Sequence, residues 1–293
     1  MSGGLRIGTR GSALALAQAG WVAERVGGEL VEITTAGDLD RAAGDKSRWT
    51  GALEGALLEG RIDLAVHSAK DVPGELGEGL GLVGAAARVD ARDVLCGAPS
   101  LDALAPGARI GTSALRRRAQ LLAAREDIEV VELRGNVDTR LRKLAGGEVD
   151  AIVLARAGLE RLGRLDEAGA ALTGEVFVPA AGQGVLALEA RLDDLKAAFA
   201  ARAVHDGAAW RCLLAERALV RALGADCHSA VGAHAELLDG PGGALRLAAF
   251  VGAPDGSAWL RDELTGEAAD PDALGAQAAQ RLLASGAAEL LAA

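Results

Sequence analysis

The sequence is poor in several features on which large classes of protein depend. Aromatic side chains make up only 2% of the residues, too few for the stacking platforms that hold single-stranded nucleic acids. The net charge is −10, whereas a general nucleic-acid binder gains affinity by neutralising phosphates with basic side chains. No apolar run reaches the roughly 18 residues that a membrane-spanning helix needs. We therefore expect neither a nucleic-acid partner nor a membrane anchor.

Cysteine is also scarce, and its distribution argues against disulfide bonds and metal sites. The three cysteines, Cys96, Cys212 and Cys227, are far apart and odd in number, which is typical of a chain in a reducing compartment. Cys227-His228 has no second Cys/His pair at ligand spacing, so no metal site is predicted. Cys96 and Cys212 fall in a predicted strand and helix, where cysteine is usually a small buried hydrophobe. Cys227 lies in a polar loop, where we expect an accessible thiol.

The signals of export and of two common enzyme classes are missing. No basic segment followed by an apolar core is found at the N-terminus, so we expect a cytoplasmic protein without a signal peptide. The sequence has no glycine-rich phosphate loop ending in Lys-Ser/Thr and no serine nucleophile elbow. The function must therefore rest on other residues.

What the chain does contain is an internal repeat. Residues 109–112 repeat the Arg-Ile-Gly-Thr of residues 6–9, and residues 147–153 echo residues 60–66. Two similar βα units predict two α/β lobes with a cleft between their strand-exit loops.

The end of the first copy carries candidate chemistry. Ile62–Val66 is predicted to form a strand that opens into a polar loop with His67, Lys70 and Asp71. Ligands of open α/β sheets bind in the loops beyond the carboxyl ends of the strands. The second copy has Gly158 in place of Asp71, so only one lobe is expected to bring this carboxylate to the cleft. A solvated Lys-Asp surface pair is the alternative that these residues leave open.

A basic segment marks the second lobe. The run from Thr112 to Arg118 contains three adjacent arginines at a predicted strand-to-helix transition. Helix N-termini favour anions, and guanidinium groups match carboxylates. Three arginines of neighbouring strand-exit loops extend the set: Arg10, Arg134 and Arg140. We expect a cleft built for several carboxylates, with a solvated basic helix face as the alternative.

The C-terminal part has a different character. Gly182-Gln183-Gly184 leads into a strand predicted at residues 185–189, and two helices follow. Beyond about residue 228, two or three strands and a final helix indicate a small α+β domain. The predicted fold is therefore α/β, with two lobes, a central cleft and a small C-terminal α+β domain.

Several of these segments together resemble the porphobilinogen deaminase (hydroxymethylbilane synthase) family. They lie in the right order over essentially the whole chain, and independent motifs agree. The resembling segments are residues 10–12, 67–73, 111–117, 133–137, 159–163 and 182–184, together with the late loop cysteine.

The resemblance implies three domains, of which the first two are lobes similar to periplasmic binding proteins. Domain one is expected at residues 1–88 with a return segment at residues 185–203. Domain two is expected at residues 90–180, and domain three at residues 207–293. The resemblance also implies a monomer.

The activity that the resemblance implies is that of a transferase of porphyrin (tetrapyrrole and heme) biosynthesis. The family joins four porphobilinogen molecules head to tail, releases ammonia at each step and frees hydroxymethylbilane by hydrolysis. The oligopyrrole grows on a dipyrromethane cofactor held by a thioether to the loop cysteine, here Cys227. Positive charge develops on pyrrole nitrogen in each condensation, and a fixed carboxylate, here Asp71, stabilises it.

The resemblance also assigns binding residues, because both ligands carry acetate and propionate groups that cationic side chains fit. Those implied for the dipyrromethane cofactor are Lys70, Asp38, Thr112, Ser113, Arg116, Arg117, Arg134 and Gly135. Those implied for porphobilinogen and the growing oligopyrrole are Arg10, Ser12, Arg140, Arg161 and Gln183.

Some positions depart from the family pattern. Residues 44–49 replace a glycine-rich run, Ala36 replaces a common arginine and Ala114 replaces a usual serine. Asp226 stands where a glycine is usual, and its negative charge is expected to raise the thiol pKa of Cys227. The alternative function is therefore a non-catalytic bilobal paralogue that binds anions or tetrapyrroles.

Overall fold

The computed structural model describes residues 4–34, 47–226, 228–238 and 243–292. The chain divides into two compact units. Unit 1 comprises Met1–Val89 and Gly184–Trp210, and unit 2 comprises Asp90–Gln183 and Arg211–Ala293. Within the described ranges, no helix is both long and apolar enough to cross a membrane.

Strands and helices alternate along most of the chain. The strands are β1 (Leu5–Thr9), β2 (Gly28–Glu32), β3 (Leu64–Ser68), β4 (Leu80–Ala85), β5 (Asp93–Cys96), β6 (Arg109–Gly111), β7 (Glu129–Val131), β8 (Ala151–Ala155), β9 (Leu186–Arg191), β10 (Val231–Leu238), β11 (Ala244–Gly252) and β12 (Trp259–Glu267). The helices are α1 (Ala13–Val26), α2 (Ser47–Leu58), α3 (Leu115–Ala124), α4 (Val137–Ala145), α5 (Arg156–Arg161), α6 (Leu195–Ala201), α7 (Gly207–Ala222), α8 (Pro271–Ala284) and α9 (Ala287–Ala292). Short 3-10 turns at Ala69–Asp71 and Leu165–Glu167 follow β3 and α5.

Each unit contains a sheet, and the two sheets have the same arrangement in four of their strands. The strand order is β2-β1-β3-β9-β4 in unit 1 and β7-β6-β8-β5 in unit 2. In each sheet the inner strand β1 or β6 is parallel to both neighbours. The strand beyond β3 or β8 is antiparallel in each case. The internal repeat therefore folds as two matching sheets, which confirms the predicted pair of α/β lobes.

An equivalent hydrogen bond joins two neighbouring strands in both sheets. Asp63 Oδ2 accepts from the backbone N–H of Arg6 at 2.8 Å, and Asp150 Oδ2 accepts from that of Arg109 at 2.7 Å. Each carboxylate thereby joins the start of β3 or β8 to the start of the neighbouring parallel strand. The two copies therefore share this contact as well as the sequence pattern that forms it.

The end of unit 2 is a small α+β layer, as predicted. Strands β10, β11 and β12 pair antiparallel, and Leu245, Leu247 and Leu274 lie in one buried cluster between sheet and helices. In the β11–β12 turn, Gly256 has a φ of +75°, and a Cβ there would lie 2.5 Å from Leu122 Cβ of α3. Only glycine fits this close approach without strain. The short helix α9 was not predicted. Ser285-Gly286 is typical of a helix C-terminus, so the sequence indicates that the last helix ends there.

The strand before Asp71 differs from the prediction. β3 spans Leu64–Ser68 rather than Ile62–Val66, so His67 belongs to the strand and not to the loop. A histidine at a strand end reads as polar loop in the sequence. Here its Nε2 lies 2.8 Å from Glu189 Oε2 in β9, and a buried partner allows a polar group to remain in a sheet.

Candidate active site

Asp71 lies immediately beyond the carboxyl end of β3. The Ala69 N–H donates to Val185 O at 3.0 Å, which extends the β3–β9 pairing by one residue. The Val72 N–H then donates to Ala69 O at 3.2 Å and closes the turn. Lys70 and Asp71 are both half-buried, which does not fit a fully solvated surface pair.

Polar pairs hold the end of β3 from both faces of its sheet. Towards α2, His67 Nε2 and Glu189 Oε2 pair with side chains 5% and 0% exposed. Towards α1, Gln18 Nε2 donates to Ser68 Oγ at 3.0 Å. Sequence reasoning missed Glu189, and its one signal was a lone carboxylate among the apolar residues of β9.

Arg116 and Arg117 are buried in the first turn of α3 and share one carboxylate. Arg116 Nη2 donates to Asp93 Oδ2 at 2.7 Å, and Arg117 Nη2 donates to Asp93 Oδ1 at 2.8 Å. Both arginines are 6% exposed, so they do not form the solvated basic face considered as the alternative. Burial lowers the pKa of Arg116, and the charge of Asp93 opposes that shift.

Gln183 lies against the same carboxylate. Its Nε2 donates to Asp93 Oδ1 at 2.9 Å and to Ala91 O at 2.6 Å. Gln183 is also the last residue of unit 2 before the chain returns to unit 1. The structure thus places Arg116, Arg117 and Gln183 around a buried aspartate that sequence reasoning did not single out.

Three other predicted residues lie together beside α4. Arg140 Nη2 donates to Ser113 Oγ at 2.9 Å, and Arg140 Nε donates to Gly135 O at 2.9 Å. Gly135 has a φ of +128°, and a Cβ there would lie 2.7 Å from a side-chain carbon of Thr139. Arg134, next to this group, contacts Glu132 at the surface.

Hydroxyl and amide side chains position the turns that carry the arginines. Ser12 Oγ accepts from the N–H of the third residue of α1 at 3.3 Å, and Asn136 Oδ1 accepts from Thr139 N at 3.0 Å. Thr112 Oγ1 accepts from the Ala114 N–H at 3.2 Å. Ala114 itself is the N-cap of α3 and gives no side-chain cap. These bonds fix the exits of β1, β6 and β7.

Arg161 ends α5 and is partly desolvated. Burial lowers the pKa of Arg161 to about 10, while the charge of Glu160 acts in the opposite direction. A partly buried cation gains more from an anionic partner than a solvated one does. Arg10, at the exit of β1, is likewise half-buried.

Part of the predicted site lies outside the described residues. This holds for Cys227 and for residues 35–46, which contain Asp38 and the start of the altered glycine-rich run. Beside the cysteine, Asp226 Oδ1 accepts from His228 N at 2.8 Å and Ser229 Oγ at 3.2 Å. Burial acts to raise the pKa of Asp226, but these hydrogen bonds outweigh it and lower the pKa. The aspartate that replaces the family glycine therefore closes a local turn.

The other two cysteines are buried free thiols, as predicted. Burial raises the pKa of Cys96 to about 11, so this thiol is a poor nucleophile near neutral pH. In the part of the chain that the structure describes, no three His, Cys, Asp or Glu side chains are grouped to hold a metal ion.

Comparison with known proteins covers nearly the whole chain. Residues 5–198 match the family model of the porphobilinogen deaminase dipyrromethane cofactor binding domain. Residues 210–284 match that of the porphobilinogen deaminase C-terminal domain. The chain belongs to the porphobilinogen deaminase family. This confirms the resemblance drawn from the sequence motifs, and with it the transferase class and the dipyrromethane cofactor of the family.

Curated porphobilinogen deaminases are similar over their full length. The protein of Deinococcus deserti is 45% identical over 308 residues, which cover 97% of this chain and 97% of its own. That of Trichlorobacter lovleyi is 45% identical over 96% of this chain and 94% of its own. Among solved structures, a periplasmic substrate-binding protein from Coxiella burnetii is 18% identical with a TM-score of 0.42, covering 70% of this chain and 94% of that one.

Proposed function

We propose that this chain is an active hydroxymethylbilane synthase. It joins four porphobilinogen molecules head to tail, releases ammonia at each step and frees the linear product by hydrolysis. The observation that carries the proposal is the match of both family domains in a chain that keeps Asp71, its arginines and Cys227.

The donor set of the described residues fits a dipyrromethane cofactor. Its acetate and propionate groups require cationic and hydrogen-bonding partners. Ser113 and Gly135 form one such group through their bonds to Arg140, and Arg134 and Lys70 would each supply a positive charge to the cofactor. When bound, the cofactor supplies the pyrrole carbon to which the first substrate is joined. Its attachment to Cys227 rests on the sequence.

Asp71 is assigned the stabilisation of positive charge on pyrrole N–H groups. A carboxylate fixed before the reaction stabilises developing charge without having to reorganise. The turn that carries Asp71 is tied to β9 through Ala69, which gives the carboxylate a defined position. The same group can accept a proton and return it.

The arginines are assigned to the carboxylates of the cofactor, the substrate and the growing oligopyrrole. The cluster of Arg116, Arg117 and Asp93 sets two guanidinium groups against one carboxylate, and all three side chains are buried. Charges interact strongly where water is excluded, so the excess positive charge favours an anion nearby. Arg10, Arg140 and Arg161 would contact substrate carboxylates, with Ser12, Thr112 and Gln183 shaping the loops around them.

Intact-mass measurement of the recombinant protein tests the proposal. We expect a dipyrromethane adduct on the wild-type chain, ammonia release from porphobilinogen, and loss of the adduct in Cys227→Ser. Cys212→Ala is the matched control and should keep the adduct, because Cys212 is buried in α7. A bare wild-type mass without ammonia release would favour the non-catalytic paralogue instead.

We further propose a monomer that works in the cytoplasm. The two buried free thiols, Cys96 and Cys212, suit a reducing compartment. Sedimentation of the purified chain would test the oligomeric state.

A further inference from the structure

A buried acid–base pair lies directly before Asp71 and takes no part in the function proposed above. His67 is the fourth residue of β3, and its Nε2 is 2.8 Å from Glu189 Oε2. In the antiparallel register, Glu189 lies opposite Ala65. His67 and Glu189 are therefore diagonal neighbours on one face of the sheet, where long side chains meet.

The pair does not have the character of a stabilising contact. Its side chains are 5% and 0% exposed, and taking two ionisable groups out of water costs free energy that their mutual hydrogen bond only partly returns. Within the described residues, the second carboxylate oxygen, Glu189 Oε1, accepts no hydrogen bond. Burial and then the charge of Glu189 raise the pKa of Glu54, so a second carboxyl group lies close enough to Glu189 to interact with it.

The internal repeat provides a natural comparison. His67 corresponds to Leu154 in β8, three residues after the counterpart of Leu64. The place of Glu189 is taken by Cys96, which lies opposite Ile152 as Glu189 lies opposite Ala65. Leu154 and Cys96 belong to one buried apolar cluster. The same sheet position is therefore stable without any polar pair.

The two lobes differ in one further respect at this place. The lobe with the His-Glu pair has Asp71 at the strand exit, and the lobe with the apolar pair has Gly158 there. Both lobes have this sheet position, but only the lobe with Asp71 has the His-Glu pair there.

We infer that His67 and Glu189 are positioning residues for the reaction, which fix the end of β3 and so the place of the Asp71 carboxylate. His67, which bonds β3 to β9 through Glu189, lies two residues before Ala69, whose N–H donates to Val185 O in the last backbone bond between these segments. Beyond that bond the chain turns, so a shift of β3 against β9 would move Asp71 directly. The inference rests on the proposed function.

An apolar double substitution separates positioning from stability. His67→Leu with Glu189→Met copies the character of the second lobe and leaves no buried charge unpaired, so the protein should fold. We expect an unchanged thermal midpoint within a few degrees, a retained cofactor adduct, a KM within about threefold, and a kcat about 10- to 100-fold lower, because misplacement by about 1 Å costs that much.

Two further variants serve as controls. His67→Gln keeps a donor for Glu189 and should recover most of kcat. Asp63→Asn breaks the Arg6 ion pair at the opposite end of β3 and should leave kcat unchanged, even if stability falls.

The outcomes separate this inference from the proposed function. An active wild type with an equally active, folded double variant overturns the inference alone. Loss of kcat in Asp63→Asn equal to that in the double variant also overturns it, since any loosening of β3 would then suffice. A wild type without ammonia release overturns the proposed function and the inference with it.

Discussion

The sheets of the two lobes match in four strands, but the lobes bury their polar groups in different places. Unit 1 places His67 and Glu189 beneath the exit of β3, whereas unit 2 has Leu154 and Cys96 there. Unit 2 instead buries Arg116, Arg117 and Asp93 at the start of α3. The corresponding first turn of α1 contains only alanine and leucine.

This difference indicates how two similar sheets come to carry side chains of opposite charge. Burying an ionisable group is unfavourable unless it is paired. Both sets of buried groups lie near strand exits, where unit 1 has the Asp71 carboxylate and unit 2 has the Arg116 and Arg117 guanidinium groups. The apolar counterpart in the other lobe shows that the sheet itself requires neither set.

The largest effect is expected from removing the carboxylate of unit 1. Asp71→Asn keeps the size of the side chain but not its charge, so the protein should fold and keep its cofactor adduct. We expect kcat to fall by about 100- to 1000-fold, the range for losing one preorganised electrostatic contact. Ammonia release measures the rate, and intact mass measures the adduct. Asp166→Asn, an exposed carboxylate of unit 2, is the control, and a near-normal rate in Asp71→Asn would remove Asp71 from its role.

Removing the carboxylate of unit 2 should instead affect stability. Asp93→Asn leaves Arg116 and Arg117 buried without their anion, and breaking such a pair costs about 3–5 kcal/mol. We expect the free energy of unfolding in urea to fall by this amount. Asp127→Asn removes an exposed carboxylate paired with Arg125 and should lower it far less than Asp93→Asn does. Equal stability of Asp93→Asn and wild type would show that the cluster is not the anchor of α3.

The sheet framework could be predicted from the sequence because it is repeated there. The Arg-Ile-Gly-Thr copies and the two Ile/Val-Asp segments indicate β1, β3, β6 and β8 through their likeness alone. The C-terminal α+β layer also followed from local patterns. These features depend on contacts within a few residues or on periodicity, which the sequence displays directly.

The buried polar partners could not be predicted in the same way. Asp93 lies 23 residues from Arg116, and Glu189 lies 122 residues from His67. Each reads as an ordinary charge in a short strand, because its partner is fixed only by sheet order. The inclusion of His67 in β3 has the same cause, since its side chain is buried against the distant Glu189.

A smaller effect is expected at the surface of the cationic lobe. Arg140→Ala removes the bonds to Ser113 and Gly135 and one proposed contact with a substrate carboxylate. A charged hydrogen bond contributes about 1.5–3 kcal/mol, so KM for porphobilinogen should rise by about tenfold or more with less change in kcat. Arg142→Ala, an exposed arginine on the same helix, is the matched control. A fall in kcat at constant KM would assign Arg140 to the chemical step instead.

The smallest effect concerns Asp63, which accepts hydrogen bonds from both the backbone N–H and the side chain of Arg6. A side-chain bond from Arg6 lowers the pKa of Asp63, although burial acts against it. A lowered pKa in the folded state means that the ionised form stabilises the fold above about pH 4, the usual aspartate value. That stability is lost as pH falls through the lowered pKa. Urea unfolding of wild type and Asp63→Asn should therefore differ by about 1 kcal/mol at pH 7 and converge in acid.

The counterpart in unit 2 sharpens this last test. Asp150 accepts the backbone N–H of Arg109, but the Arg109 guanidinium donates to Glu148 O rather than to the aspartate. Asp150→Asn should therefore cost less stability at pH 7 than Asp63→Asn. The contrary outcome is that both variants lose the same free energy of unfolding at every pH. In that case the backbone bond alone accounts for the stability in each sheet, and the Arg6 side chain adds nothing.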